Sequence, residues 1–236
     1  MEGVRVYAFD KIDSTNSEAV RRIKSGVKLP ALFIADSQTA GKGTRGRSFY
    51  SDGGGLYMSL AVNADETRIQ RLTVLAAVAV AQSIEKLTGK TVGIKWVNDV
   101  YLNGKKLCGI LCERVADPIS GKTLGVVIGI GINLFVKDFP DEIKDIAVSL
   151  NSKGVTAKIL SCEITNRILK LLSGEEDFMQ YYKEKSVLLG REVCYVKDGK
   201  QYTGIARDID DSGALVVEDS DRFTAILSSG DVMLLK

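Results

Sequence analysis

The residues best suited to chemistry in this 236-residue chain lie in one glycine-rich segment that carries three basic side chains. Residues 37–47 read SQTAGKGTRGR and include Lys42, Arg45 and Arg47 but no acid. Glycine lets the backbone approach an anion closely, and a planar guanidinium can bind two phosphate oxygens at once. The segment could therefore bind a phosphate. The alternative is a flexible, solvated loop, because surface loops commonly have this composition.

Two well-known nucleotide-binding motifs almost match this segment, but the chain departs from both. Gly41, Gly43 and Gly46 fit the dinucleotide pattern G-x-G-x-x-G, which requires a helix to begin in the loop. Here the sequence continues as RSFYSDGGGLYMS, which predicts more loop and then a strand. The P-loop pattern needs glycine at position 36 and serine or threonine at position 43. The chain has Asp36 and Gly43 there, so neither fold is expected.

Three other segments place polar or basic residues at the ends of predicted strands. Asn98 and Asp99 follow an apolar run and could face a ligand or form a turn before a hairpin. Lys106 comes just after an Asn-Gly pair and is either a solvated hairpin lysine or a cation that reaches into a site. Residues 129–133 (GIGIN) could approach a ligand closely or simply end a strand at Asn133.

The chain contains no histidine, which removes several mechanisms. A Ser-His-Asp triad and a Cys-His pair are impossible, and a catalytic zinc site is disfavoured because such sites nearly all use histidine. The cysteines lie among apolar neighbours and are predicted to be small buried residues. They are Cys108, Cys112, Cys162 and Cys194. So few cysteines indicate a reducing compartment. With no signal-peptide layout and no apolar run of about 18 residues, we expect a cytoplasmic protein without a membrane segment.

The elements that must position these residues predict an α+β fold. Alternation and apolar runs predict strands at 4–9, 31–35, 56–62, 92–96, 100–102, 107–113 and 124–130. Helical spacing predicts helices after residue 14, where Thr15 and Glu18 fit a capping box, and at 72–87 and 159–172. From residue 188 onward, short strands at close spacing indicate a small β-barrel. We therefore expect a mixed sheet with helices in residues 1–186 and a barrel in residues 187–236.

The net charge of +2 conceals a difference between the two parts of the chain. Residues 188–236 contain six basic and nine acidic residues, which gives 6 − 9 = −3 and leaves +5 for the remainder. The basic clusters of the first part are short and interrupted by glycine, which favours a small anion over nucleic acid. A non-catalytic module that binds anions or nucleic acid is the alternative, but the acidic barrel argues against it.

The order and spacing of these segments resemble the biotin protein ligase family, also called biotin–[acetyl-CoA-carboxylase] ligase. The resemblance runs from about residue 7 to the C-terminus, where the short strands look like the family's SH3-like domain. The segments that carry it are 13–16 (DSTN), 38–43 with 45–47 (QTAGKG and RGR), 55–59 (GLYMS), 95–99 (KWVND), 106–111 (KLCGIL) and 129–133 (GIGIN). A lipoate or octanoate ligase or transferase is the nearest rival, because it shares the fold but uses different loop signatures.

The resemblance implies that biotin and ATP form biotinyl-5′-AMP and pyrophosphate, and that biotin then passes to one lysine of a carboxylase carrier domain. The implied biotin-binding residues are Ser14, Thr15, Asn16, Gln38, Lys42, Gly43, Thr44 and Lys106. The implied nucleotide-binding residues are Lys42, Gly43, Thr44, Arg45, Arg47, Asn98 and Asn133. Catalytic roles fall to Lys106, Arg45 and Asp99. Mg²⁺ would be held mainly by substrate phosphates, with Asp99 as a candidate protein ligand.

Three residues depart from the family pattern. Thr44 replaces an arginine that is associated with holding the adenylate, Phe49 replaces a tryptophan, and Val97 replaces a proline. The family also has members with an N-terminal helix-turn-helix domain. Here the first family strand begins near Val4, so we expect a form without DNA binding. The expected partner is a biotin carboxyl carrier domain rather than nucleic acid or a membrane, and the family often forms a homodimer.

Overall fold

In the described part of the chain, seven strands and four helices are followed by five further strands. The computed structural model describes residues 3–63, 69–197 and 199–235. The strands are β1 (Arg5–Ile12), β2 (Ala31–Gln38), β3 (Gly55–Val62), β4 (Gly93–Lys95), β5 (Asp99–Leu102), β6 (Lys105–Ala116), β7 (Thr123–Asn133), β8 (Glu192–Lys197), β9 (Lys200–Ile209), β10 (Leu215–Glu218), β11 (Thr224–Leu227) and β12 (Val232–Leu234). The helices are α1 (Thr15–Lys24), α2 (Ile69–Thr88), α3 (Ala157–Leu172) and α4 (Met179–Lys185).

The first seven strands form one mixed sheet in the order β1-β2-β3-β7-β6-β5-β4. Only β1 and β2 are parallel neighbours, and every other adjacent pair is antiparallel. Successive side chains of a strand point to opposite faces. Leu32 accordingly packs in the same apolar cluster as Val78 of α2 and Ile164 of α3. Phe33 packs with Ala19 and Ile23 of α1 on the other face. The central strands are thus covered on both sides, and burial of each large apolar side chain contributes about 1.5–3 kcal/mol.

The first helix begins at Thr15, one residue earlier than a capping box of Thr15 and Glu18 would require. Ser14 is the N-cap, and its side chain accepts a hydrogen bond from the Ser17 amide. The predicted capping box is therefore wrong, and Glu18 instead pairs with Arg21 and Arg22. Because Ser14 caps the helix, Thr15 is left to make other contacts from the first turn.

The predicted hairpin around Asn103 and Gly104 is confirmed. The two residues have φ angles of 52° and 76°, and positive φ at both central positions is the geometry of a tight type I′ turn. The turn joins β5 to β6, whose register pairs Tyr101 with Lys106. This places Lys106 one residue inside β6, close to the carboxyl end of the sequence KWVND.

The last five strands form a separate antiparallel sheet in the order β11-β10-β9-β8-β12. It packs against the larger sheet's elements, since the Trp96 indole donates to the Gly213 carbonyl at 2.9 Å. Arg71 of α2 also donates to the Asp211 carbonyl at 3.0 Å. Among the helices in the described part of the chain, none combines the length and hydropathy needed to cross a membrane.

One element, α4, was not predicted. Its seven residues read MQYYKEK, too short a run to show helical periodicity against the surrounding polar residues. Tyr182 of this helix donates through its hydroxyl to the Val97 carbonyl at 3.1 Å. The helix therefore braces the chain just before Asn98.

Candidate functional site

A cavity of about 620 Å³ lies between the larger sheet, the glycine-rich loop and the C-terminal sheet. Most residues selected from the sequence line it. They are Ser14, Thr15, Asn16, Gln38, Lys42, Gly43, Thr44, Arg47, Asn98, Asp99, Lys106 and Asn133. Arg45 differs, because the described lining of the cavity does not include it and its guanidinium pairs with Asp231 instead. One cavity thus brings together segments that are far apart in sequence.

One end of the cavity is a buried polar network at the start of α1. Gln38 Oε1 accepts from the Thr15 amide at 2.8 Å and lies 3.1 Å from the Thr15 hydroxyl. Gln38 Nε2 donates to the Ser51 hydroxyl at 2.9 Å. Ser59 Oγ lies 2.8 Å from Thr15 Oγ1 and 2.6 Å from Asn16 Oδ1. Fixed donors and acceptors at a buried wall suit a small polar head group that has both kinds of atom.

Close packing behind this network requires glycine at position 129. A Cβ atom at Gly129 would lie 2.0 Å from Asn16 Oδ1, far inside the van der Waals limit. The Asn16 amide nitrogen donates to Glu113 Oε2 at 2.7 Å. Neither Ser59 nor Glu113 is among the site residues predicted from the sequence. A polar residue inside the apolar strand GLYMSLAV was a usable signal for Ser59, whereas Glu113 had none.

Two more glycines form a flat floor in the middle of the cavity. Gly109 of β6 and Gly131 of β7 are cross-strand partners. The Phe49 ring lies over them, since a Cβ at position 131 would meet it at 2.5 Å and a Cβ at position 109 at 3.1 Å. The ring also makes an edge contact with Tyr57, at 6.4 Å between centroids. The two glycines therefore let the Phe49 ring pack flat against the backbone, and this ring forms part of the cavity lining.

Lys106 supplies a positive charge at the other side of this floor. Its Nζ lies 2.7 Å from Asp99 Oδ1. The backbone on both sides is fixed, because the Lys106 amide donates to the Ile146 carbonyl at 2.7 Å and its carbonyl accepts from the Val148 amide at 2.9 Å. The side chain is 34% exposed, so the ammonium is neither fully solvated nor sealed off. The structure thus places Lys106 in the cavity wall, where an anionic ligand can reach it.

Two amides flank this cation. The nitrogen of Asn98 donates to the Ile110 carbonyl at 3.0 Å, and that of Asn133 donates to the Val148 carbonyl at 3.2 Å. Asn98, Asn133 and Asp99 all line the cavity. Within the described residues, no group of three or more histidine, cysteine, aspartate or glutamate side chains could hold a metal. A divalent cation here would need most of its ligands from a bound substrate.

The glycine-rich loop is compact rather than a solvated tether. The Gly43 amide donates to the Arg47 carbonyl at 2.7 Å, and Arg47 Nη2 donates to the Thr44 hydroxyl at 3.1 Å. Arg45 and Gly46 have φ angles of 58° and 74°, a left-handed turn that glycine adopts without strain. The loop leads into β3 and not into a helix. The rejection of the dinucleotide motif is therefore confirmed.

Both arginines of the loop face an acid from the C-terminal sheet. Arg45 Nη1 lies 3.1 Å from Asp231 Oδ2, and Arg47 Nη2 lies 2.9 Å from Asp231 Oδ1. Burial raises the pKa of the Asp231 carboxyl, but the hydrogen bond and charge of Arg47 and the nearby Arg45 outweigh it and hold that pKa below its usual value. The carboxylate stays ionised at neutral pH. Its neighbours Gly230 and Val232 also line the cavity.

The cysteines offer no nucleophile at neutral pH in this site. Burial raises the pKa of the Cys108 thiol well above its ordinary value, and burial likewise raises the pKa of Cys112 to about 12. A thiol that remains protonated reacts poorly. Cys108 and Cys194 are buried as predicted, whereas Cys112 and Cys162 are only partly buried.

The sequence matches two protein families. Residues 8–133 match the biotin/lipoate A/B protein ligase family, and residues 188–235 match the biotin protein ligase C terminal domain. The chain is 33% identical over 238 residues to the bifunctional ligase/repressor BirA of Bacillus subtilis, a match that covers 96% of this chain and 73% of that relative. It is 34% identical over 239 residues to the biotin–[acetyl-CoA-carboxylase] ligase of Mycobacterium tuberculosis, covering 94% and 86%.

The fold is also similar to a solved structure, the biotin protein ligase from Aquifex aeolicus in complex with biotin and ATP. The TM-score is 0.84 at 28% sequence identity, and the match covers 98% of this chain and 99% of the other. Because the match includes both sheets, the predicted α+β fold with a small SH3-like C-terminal part is confirmed.

Proposed function

The chain belongs to the biotin/lipoate A/B protein ligase family, and from this premise we infer that it is a biotin protein ligase. It activates biotin with ATP to biotinyl-5′-AMP and then transfers biotin to a lysine of a carboxylase carrier domain. The observation that carries this proposal is the single cavity, which joins a buried polar end, a glycine floor and the Lys106 ammonium. In that order, the three regions match the parts of biotin: a ring with N–H and C=O groups, an aliphatic chain and a carboxylate.

The first step needs positive charge and no protein base. A carboxyl group with a pKa of about 4.3 is already ionised at neutral pH. Its oxygen attacks the α-phosphorus, an oxygen–phosphorus bond forms, and the bond to pyrophosphate breaks. Charge that develops on phosphate oxygens is stabilised by fixed cations and backbone N–H groups. We assign this role to Lys106, with Lys42 and Arg47 beside the phosphates, which agrees with the absence of histidine.

The two substrates then have distinct contacts in this proposal. Ser14, Thr15, Asn16 and Gln38 bind the ureido ring, and the aliphatic chain lies along the Phe49 ring that packs on Gly109 and Gly131. The nucleotide binds between the loop residues and the amides. The loop residues are Lys42, Gly43, Thr44, Arg45 and Arg47, and the amides are Asn98 and Asn133. Arg45 reaches the phosphates only when it leaves Asp231. We assign both substrates to residues 1–186 and the counter-ion Asp231 to residues 187–236.

Mg²⁺ would enter with ATP, and Asp99 is the protein group that fits it. A carboxylate, with amide oxygens in the lining of the same cavity, is the oxygen-donor chemistry that Mg²⁺ accepts when substrate phosphates supply the remaining ligands. The cation would supply charge neutralisation at the phosphates. Asp99 can serve it only by sharing the carboxylate with Lys106, which lies 2.7 Å away.

In the second step the acceptor amine attacks the carbonyl carbon of the adenylate, an amide bond forms, and AMP leaves. The attacking ammonium must lose a proton, and Asp99 is the candidate acceptor in the wall of the cavity. The partner is the biotin carrier domain of acetyl-CoA carboxylase or a related carboxylase. A homodimer and a cytoplasmic location stay predictions.

Isotope exchange between ATP and pyrophosphate tests the proposal directly. We expect exchange that requires biotin and does not occur with lipoate or octanoate in its place. Exchange with lipoate but not with biotin would assign the chain to the other branch of the family. A negative gel shift with duplex DNA at low salt checks the separate prediction that the chain does not bind nucleic acid, because phosphate contacts are strongest there.

Thr44→Arg is expected to slow release of the adenylate about tenfold, because a charge-assisted hydrogen bond to phosphate contributes about 1.5–3 kcal/mol. Thr44 lines the cavity at the loop, so a longer cationic side chain there can reach the phosphate. The measurement is labelling of bystander proteins by released adenylate, which should fall in proportion. Thr44→Gln adds length without charge and serves as the control. Equal labelling by all three proteins would contradict the prediction.

Asp231→Asn is expected to lower KM for ATP by about twofold to fivefold with kcat little changed. The substitution removes the anion that faces Arg45 and Arg47, and these exposed ion pairs contribute only about 0–1 kcal/mol each. Asp211→Asn removes the same charge from an exposed acid in the turn between β9 and β10 and is the matched control. A rise in KM for ATP would show instead that Asp231 holds the arginines in their binding position.

A further inference from the structure

We propose that Glu113 is a positioning residue that fixes the orientation of the Asn16 amide and thereby the pattern of donors and acceptors offered to the ureido ring. The proposal rests on the proposed function of this cavity. Glu113 lies on β6, and its carboxylate accepts from Asn16 Nδ2 at 2.7 Å. The described lining of the cavity does not include Glu113. Its effect on a ligand must therefore pass through a neighbouring side chain, and the short hydrogen bond is made to Asn16.

A carboxylate can only accept hydrogen bonds, and this sets the direction of the Asn16 amide. The amide nitrogen must face Glu113, where the Leu111 carbonyl is a second, longer acceptor at 3.4 Å. The amide oxygen then faces Ser59 Oγ at 2.6 Å. Rotation of the amide by half a turn would place its oxygen against the carboxylate. Two acceptors in contact repel each other, so that orientation is excluded while Glu113 is ionised.

The fixed Asn16 amide determines where the hydroxyl hydrogen of Ser59, the next group in the network, points. Ser59 has a single hydroxyl hydrogen, and it is committed to Asn16 Oδ1. Ser59 therefore meets the Thr15 hydroxyl, 2.8 Å away, as an acceptor. The Thr15 hydroxyl donates its hydrogen to Ser59 Oγ or to Gln38 Oε1, and both acceptors belong to the protein and not to a ligand. What Thr15 presents to the cavity is a lone pair.

A lone pair at Thr15 suits a ligand that donates an N–H group, as a cyclic urea does. The opposite amide orientation would free the Ser59 hydrogen, and Thr15 could then present a hydrogen to the cavity instead. That arrangement would repel the same N–H group. Buried polar groups that cannot pair discriminate strongly against a ligand. Glu113 thus acts at a distance as a determinant of substrate specificity.

The second carboxylate oxygen of Glu113 connects the network to the glycine-rich loop. Glu113 Oε1 lies 3.9 Å from Lys42 Nζ, a long and partly solvated contact that contributes little energy by itself. Because of this contact, neutralising Glu113 alters the setting of Lys42, so the test must separate binding of biotin from binding of ATP.

Glu113→Gln tests the proposal with nearly the same shape. The amide at position 113 can both donate and accept, so both orientations of Asn16 become allowed. We expect KM for biotin to rise about tenfold, the usual effect of losing a hydrogen bond to a charged group, with kcat and KM for ATP within about twofold. Discrimination between biotin and an analogue methylated at a ureido nitrogen should fall as well, a change that a purely structural role would not produce.

The second test moves the negative charge from position 113 to position 16. Asn16→Asp alone brings two carboxylates together and should weaken biotin binding more than Glu113→Gln does. Asn16→Asp combined with Glu113→Gln restores a donor facing an acceptor and again forces Ser59 to donate. We expect the double variant to recover most of the affinity for biotin. Glu163→Gln, a surface acid on α3 that pairs with Lys86, is the control.

The outcomes separate this proposal from the function on which it rests. If the unsubstituted protein shows no exchange with biotin, the proposed function fails before any variant is made. If that exchange is present and Glu113→Gln leaves KM for biotin unchanged, or lowers kcat alone, the positioning role is overturned. A double variant that binds biotin no better than Asn16→Asp overturns it as well.

Discussion

Lys106→Ala is expected to slow biotin-dependent exchange between ATP and pyrophosphate by about a hundredfold, the usual effect of removing one electrostatic contact to a developing charge. The ammonium lies in the cavity wall and pairs with Asp99 at 2.7 Å. Its loss removes the cation that draws the carboxylate and the phosphate together, and it leaves the Asp99 charge facing two anions. The effect should therefore appear in kcat as well as in KM for biotin.

Lys105→Ala is the matched control for this prediction. Lys105 precedes Lys106 on β6, but its ammonium points to the Lys144 carbonyl at 3.5 Å, and the described lining of the cavity does not include it. Both variants lose one positive charge from the same hairpin, so a general electrostatic effect would slow both. Exchange kinetics that stay unchanged in Lys106→Ala would refute the assigned role.

Local sequence signals predicted the elements well because each signal is short-range. The Asn103-Gly104 pair specifies a tight turn, and the β-branched run in β7 specifies a buried strand. The helix α4 lacked such a signal, since two turns give too few positions for periodicity. The start of α1 was misread because Ser14 and Thr15 are both good capping residues. The contacts of Thr15 with Gln38 and Ser59 distinguish the two residues, because they need Thr15 inside the first turn and leave Ser14 as the cap.

The site residues also fall into two groups, those with a local sequence signal and those without one. Lys106, Asp99 and the loop residues were found because they stand in polar or glycine-rich segments between apolar runs. The floor was not found, because it depends on the register that sets Gly109 opposite Gly131. Asp231 reaches the loop only through packing of the second sheet. Pairing register and packing between sheets depend on contacts distant in sequence, and a local pattern does not contain them.

Gly129→Ala is expected to abolish measurable biotin binding, a loss of at least about a hundredfold in affinity, because the Cβ would lie 2.0 Å from Asn16 Oδ1. Asn16 cannot simply move aside, since Glu113 and Ser59 hold it at 2.7 and 2.6 Å. Displacing it breaks both bonds and closes the polar end of the cavity. Overpacking of this kind also costs about 1–3 kcal/mol of stability. Titration calorimetry with biotin and urea unfolding measure the two effects separately.

Two further variants decide whether the clash with Asn16 is the cause. Gly125→Ala, on the same strand but outside the cavity, places its Cβ 3.0 Å from Leu29 Cδ1, so it should lower stability and leave biotin affinity unchanged. Combining Gly129→Ala with Asn16→Ala removes the clashing atom, so stability should return while biotin binding stays lost. Recovery of both would show that Asn16 contributes nothing to biotin binding. Recovery of neither would show that the methyl group acts elsewhere on β7. The expected result, with stability restored and affinity lost, would show that Gly129 is required because it makes room for the Asn16 amide.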